Sequence, residues 1–128
     1  VVVGSRADER QLTVHALVQA AQQRAIDGLR PGMPAREGDA LARDVIAARG
    51  FGPAFGHSLG HGLGLEVHEA PRLAATSDEA LPPHAVVTVE PGVYFPGWGG
   101  VRLEDDVYLG ADRAVLLSDN RTELLELV

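Results

Sequence analysis

The stretch Val86–Leu109, VVTVEPGVYFPGWGGVRLEDDVYL, decides how the rest of the chain is read. With the alanine before it, Ala85–Val89 (AVVTV) is a short β-branched apolar run, which predicts a buried strand. The Gly/Pro-rich PGVYFPGWGG predicts a turn or hairpin loop, and Val101–Leu109 (VRLEDDVYL) predicts a second strand. Two acids interrupt this frame: Glu90 closes the first strand and Glu104 lies within the second. Burying a bare carboxylate costs several kcal/mol unless something pairs with it. Arg102 stands two positions before Glu104, on the same strand face by the period of two, so an ion pair alone accounts for that acid. It leaves Glu90, held by the rigid Pro91-Gly92 turn, unexplained.

Upstream, Gly56–Pro71 reads GHSLGHGLGLEVHEAP and carries three of the five histidines, His57, His61 and His68, within twelve positions. Taken singly, each is best read as a hydrogen-bonded structural histidine in a glycine-rich loop. The four-residue spacing of His57 and His61 suits two ligands on one helical face. However, Gly56, Gly60, Gly62 and Gly64 oppose a helix, each by about 1 kcal/mol relative to Ala. Arg72 stands where an HExxH motif starting at His68 needs its second histidine. The Gly60-x-Gly62-x-Gly64 pattern neither follows a predicted strand nor opens a helix, as a phosphate-binding loop must. Taken jointly, His61, Glu90 and Glu104 supply one imidazole and two carboxylates, a set suited to hard or borderline divalent cations.

Farther out, Val1-Val2-Val3 predicts the tail of a strand, and Ser5 or Asp8 a helix cap. Apolar positions Val14, Leu17, Val18, Ala21, Ala25 and Leu29 step by three or four and predict a helix ended by Arg30-Pro31-Gly32. A second helix is expected over Ala35–Arg49 with Gly50 just past its end, and a last strand over Ala114–Leu117. Two helices followed by several strands predict an α+β fold, helices on one face of an antiparallel-rich sheet.

The 128 residues are about one domain, and 45% hydrophobic content suffices for a largely aliphatic core. A net charge of −7 disfavours nucleic acid as a partner. No apolar run reaches membrane-spanning length and no signal peptide is visible, so a cytoplasmic protein with no membrane partner is expected. Cys is absent, which excludes disulfides, thiolate catalysis and thiolate metal sites. All eleven basic residues are Arg, which excludes a P-loop lysine, a Schiff base and Ser–Lys catalysis. Asp78-Glu79 reads as a solvated loop, and the sequon Asn120-Arg121-Thr122 as a chance match.

Together, the two quoted stretches resemble the proline-specific branch of the pita-bread metallopeptidases, the Xaa-Pro dipeptidases (prolidases) and Xaa-Pro aminopeptidases. The resemblance covers nearly the whole chain. It implies half of a pita-bread (creatinase/aminopeptidase-like) fold, with two helices packed on a curved, largely antiparallel sheet. Residues 1–128 would be the C-terminal part of one catalytic domain. Two aspartate ligands of the family lie on strands upstream of the Val1-Val2-Val3 position, and that N-terminal half is expected to be absent here. Asp8, Asp27, Asp39 and Asp44 do not match them, and Asp105 and Asp106 lie past the family positions.

By the same resemblance, His61, Glu90 and Glu104 are metal ligands, with Glu104 bridging two ions and Glu90 also shuttling a proton. His68 steadies the tetrahedral intermediate, His57 lies beside the substrate, and Arg102 orients Glu104 or the substrate. Tyr94 and Trp98 either line the proline pocket or pack the loop. Methionine aminopeptidases usually separate the two glutamate strands more widely, so the short gap favours the proline branch. Creatine-hydrolysing relatives lack the metal ligands that are kept here.

The implied activity is hydrolysis of the Xaa-Pro bond, in dipeptides or at peptide N-termini, by a hydroxide held on two divalent ions (Mn, Co or Zn). A proline-containing peptide is the implied substrate, and a homodimer the implied assembly. Two alternatives stand beside it: a non-catalytic pita-bread domain that binds peptide or protein, and an inert fragment lacking two ligands.

Overall fold

The computed structural model describes residues 2–119 and 123–128, so Val1 and the Asn120–Thr122 sequon lie outside the described residues. Strand β1 (Val2–Val3) leads into helix α1 (Glu9–Gly28). Asp8, rather than Ser5, caps the helix through a reciprocal capping box. Its carboxylate accepts the Gln11 N–H at 2.7 Å, and the Gln11 side chain accepts the Asp8 N–H at 2.9 Å. The polar first turn extends α1 ahead of its apolar stripe, which begins at Val14. Helix α2 (Ala35–Ala47) buries Ala35, Gly38, Asp39, Ala42 and Ile46 at helical spacing. It ends two residues short of the expected Arg49, with Gly50 at φ 81°.

A short 3-10 turn (Gly52–Ala54) precedes β2 (Gly60–Gly62), β3 (Glu69–Leu73) and β4 (Val86–Val89). Next come β5 (Gly92–Phe95), β6 (Gly99–Arg102), β7 (Asp105–Leu109), β8 (Ala114–Leu116) and β9 (Glu126–Leu127). The main sheet has the order β3-β2-β4-β7-β8, antiparallel throughout. Strands β5 and β6 form a separate hairpin, while β1 and β9 pair in parallel.

Register divides the main sheet into two faces. Gly62 pairs with Val87, Val87 with Val107, and Gly60 with Leu73. Leu73, Val87, Val89, Val107 and Leu109 are fully buried, packed in one core with Val18, Ala25 and Leu29 from α1 and its end and Ile46 of α2. By the alternation of side chains along a strand, His61, Thr88 and Asp106 therefore project from the face away from the helices. The α+β expectation holds: two helices cover one face of a largely antiparallel sheet. Neither helix is long and apolar enough to cross a membrane.

Two local expectations are corrected and one is refined. Val101–Leu109 is not one strand. It breaks at Leu103-Glu104, because Arg102 pairs with Gly92 in the hairpin whereas Asp105 pairs with Val89 in the main sheet. PGVYFPGWGG takes the hairpin alternative, and the hairpin has strands of its own, β5 and β6. And the glycine-rich histidine stretch is not an irregular loop, since it contains β2, an inner strand of the main sheet. A Cβ on Gly60 would lie 1.9 Å from the Thr88 carbonyl oxygen, and one on Gly62 would lie 2.1 Å from that of Ala70. These glycines serve close approach between backbones, not flexibility.

Candidate metal centre

His61 sits in the middle of β2, and Glu90 directly follows β4, its neighbour in the sheet. Glu104 occupies the break between β6 and β7, and β7 is the next strand over. Three adjacent strands thus deliver one side chain each. A nitrogen of His61 and one carboxylate oxygen from each of Glu90 and Glu104 all lie within 4.8 Å of one another.

The His61 ring is oriented by its own strand. Its Nδ1 lies 2.9 Å from the Gly62 carbonyl oxygen, a contact that requires Nδ1 to carry a proton, so that in the neutral ring the lone pair is on Nε2. Nε2 stands 3.3 Å from Glu90 Oε1. A fixed imidazole lone pair beside two carboxylates fits a divalent cation, and the backbone carbonyl on the far nitrogen is the orienting contact that metal-bound histidines commonly make.

Thr88 ties the first two groups together. Its hydroxyl accepts the His61 N–H at 3.0 Å and donates to Glu90 Oε1 at 3.1 Å. Arg102 does more than pair with Glu104 along a strand. Its guanidinium lies 3.7 Å from Glu90 Oε2 and 3.7 Å from Glu104 Oε2, spanning both acids. The burial argument holds for Glu90, whose side chain is 13% exposed, but not for Glu104, at 43%. Glu104 lies at the break in the strand, where the backbone leaves the hairpin and the side chain reaches solvent.

The other expected residues gather around this group. The His68 ring is exposed and lies against that of His61, centroids 4.3 Å apart. His57 is half-buried, its Nδ1 2.8 Å from the Ser58 carbonyl oxygen. Its Nε2 is buried without a hydrogen-bond partner among the described residues. That atom would lie 3.2 Å from a Cβ on Gly92, so it stands beside the turn that follows Glu90. The exposed Tyr94 ring packs 5.6 Å from that of His57. Trp98, by contrast, packs against Phe95 and under the Arg10 guanidinium of α1, which favours the loop-packing reading for that residue.

Sequence reasoning missed three contributors. Thr88 was legible only as a polar residue within a valine run. Asp39 and Arg43, four apart on α2, form an ion pair at 2.5 Å beneath the loop that carries His57. The signal for them was an acid in phase with the buried positions Ala35, Ala42 and Ile46.

Comparison with known proteins identifies the family and the fold. The description of metallopeptidase family M24 matches residues 1–111. The Xaa-Pro dipeptidase of Pyrococcus furiosus is 45% identical over 125 residues, which are 98% of this chain and 36% of that protein. A solved Xaa-Pro dipeptidase from Bacillus anthracis superposes with a TM-score of 0.95 at 44% identity, over 98% of this chain and 36% of that one. The prolidase from Pyrococcus furiosus superposes with a TM-score of 0.91, over 94% of this chain and 36% of that one. The chain therefore spans little more than a third (36%) of these relatives, and within that span it has the architecture of the prolidases' pita-bread fold. With 111 residues matched and a His/Glu/Glu group built on three neighbouring strands, this chain belongs to metallopeptidase family M24.

Proposed function

We propose that the protein carrying this chain is a prolidase-type metallopeptidase that hydrolyses the peptide bond before proline, in dipeptides or at peptide N-termini. The observation that carries this reading is the convergence of His61, Glu90 and Glu104 within 4.8 Å, with the His61 Nε2 lone pair turned toward the acids. Residues 1–128 would form the C-terminal part of the catalytic domain, two aspartates from the preceding part completing a site for two ions of Mn, Co or Zn. When bound, such ions act as Lewis acids and make water a competent nucleophile near neutral pH.

The chain's own residues would do the rest. Glu90, oriented by the Thr88 hydroxyl, takes the proton of the attacking water and passes it to the departing proline nitrogen. The His68 imidazole donates to the carbonyl oxygen as it gains charge, an interaction that strengthens toward the transition state. Arg102 holds Glu90 and Glu104 in register through its two 3.7 Å contacts. His57 and Tyr94 border the space for the proline side of the substrate. By likeness to the family the intact protein would act as a homodimer.

The test uses the full-length protein and Xaa-Pro dipeptides, with metal content read by elemental analysis. Glu104→Ala is expected to lose both the metal and turnover. His68→Ala is expected to lose about 10²–10³-fold in kcat, the scale for removing one oxyanion donor, at unchanged metal content. Loss of metal from the His68 variant would contradict its assigned role, and a wild-type protein without Xaa-Pro hydrolysis would end the peptidase reading.

A further inference from the structure

Asp39 is a fully buried carboxylate on α2, outside the metal group and with no part in the proposed chemistry. Such a group is retained only where its bonds are satisfied, and both oxygens are used. Oδ2 accepts from Arg43 Nε at 2.5 Å, and Oδ1 accepts from Arg43 Nη2 at 3.0 Å and from the Leu59 N–H at 3.0 Å. The remaining reach of the guanidinium goes to the same loop. Nη1 donates to the Phe55 carbonyl at 2.9 Å and Nη2 to that of His57 at 2.7 Å, with the fork 4.2 Å above the Phe55 ring. Alternate residues 55, 57 and 59 of the segment leading into β2 are thereby held from one helix. The end of that segment bears directly on the site, since the Leu59 carbonyl accepts the Glu90 N–H at 2.8 Å. Within it, the buried His57 Nε2 has no hydrogen-bond partner among the described residues.

We propose that Asp39 and Arg43 are positioning residues for the active centre: the pair sets where the His57 imidazole stands against the substrate. This rests on the peptidase reading above. Only a planar fork serves Asp39, Phe55 and His57 at once, so Lys at position 43 would keep a charge beside Asp39 but release the loop.

The experiment compares Arg43→Lys and Arg43→Ala in the full-length protein, each alone and combined with His57→Ala, by crystal structure, metal content and kinetics. Metal content is expected to stay at the wild-type level. The His57 ring is expected to shift by about 1 Å while His61 and Glu90 superpose, a misplacement that lowers kcat/KM by about 10–100-fold, less for Lys than for Ala. On the His57→Ala background the same substitutions should cost less than about 2-fold, because the residue they act through is gone. An unmoved His57 ring, an unchanged kcat/KM, or an equal loss with and without His57 would each overturn the proposal. Should Arg43→Ala fail to fold, Arg43→Lys makes the same comparison. A wild-type protein inactive on Xaa-Pro dipeptides sinks the peptidase reading, while the ring position still decides the positioning role.

Discussion

At the scale of single residues, the candidate centre depends on hydrogen bonds that prepare side chains before any ligand arrives. The Gly62 carbonyl fixes the His61 tautomer, and the Thr88 hydroxyl joins the His61 backbone to the Glu90 carboxylate. Thr88→Val keeps the shape of β4 but leaves the His61 N–H unpaired, which costs about 1–3 kcal/mol. Metal affinity should fall by about 10–100-fold, the scale for losing an orienting contact, as read by competition with a chelator. Unchanged affinity would show that Thr88 serves only the strand. His15 on α1 adds a pH dependence. Burial lowers its pKa below the ordinary 6.5, because the charged imidazolium loses its hydration. Above about pH 6.5 the ring is neutral in both folded and unfolded chains and has no effect on stability. As pH falls below that value the unfolded chain takes up the proton first, so stability declines until the folded pKa is passed. Denaturant unfolding between pH 7 and 5 should show this decline, reduced in His15→Gln.

At the scale of elements, the site depends on how closely β2 approaches its neighbours. The Gly60 and Gly62 backbones lie against Thr88 and Ala70, and there is no room for a methyl group in either gap. Gly62→Ala must therefore push β2 away from β3 and carry His61 with it. A loss of about 1–3 kcal/mol or more is expected from overpacking, together with weaker metal binding, read by thermal unfolding and elemental analysis. Wild-type stability in that variant would refute the close-approach reading. This element also shows where sequence reading stops. Glycine signals a loop by its propensity, and nothing local in GHGLG states that two strands will close on it. The same holds for Val101–Leu109, whose alternation reads as one strand although its two ends pair with different partners. Helices were more legible, because the stripe from Val14 to Leu29 and the Asp8–Gln11 box are both local signals.

At the scale of the molecule, three strands bring together an imidazole and two carboxylates separated by up to 43 positions, on the sheet face opposite the helices. The chain covers 36% of the two solved relatives compared above, and among the described residues its donor set is a histidine and two glutamates. The 128 residues alone are accordingly expected to bind one divalent ion weakly or none, whereas the whole protein should hold about two. Titration calorimetry of both separates these cases, and tight binding of two ions by the 128 residues alone would refute the need for further ligands. The sequence by itself determined the fold class, the two helices, the family and the identity of the metal-binding candidates. The fold class and helices follow from local periodicity, the metal-binding candidates from side-chain chemistry, and the family from the resemblance of the two motif stretches. Only the tertiary structure decided that β2 is an inner strand, that Arg102 spans both acids, that Thr88 orients the centre and that Asp39–Arg43 grips the His57 loop. Each of those depends on contacts between segments far apart in the chain, where register and packing set the distances.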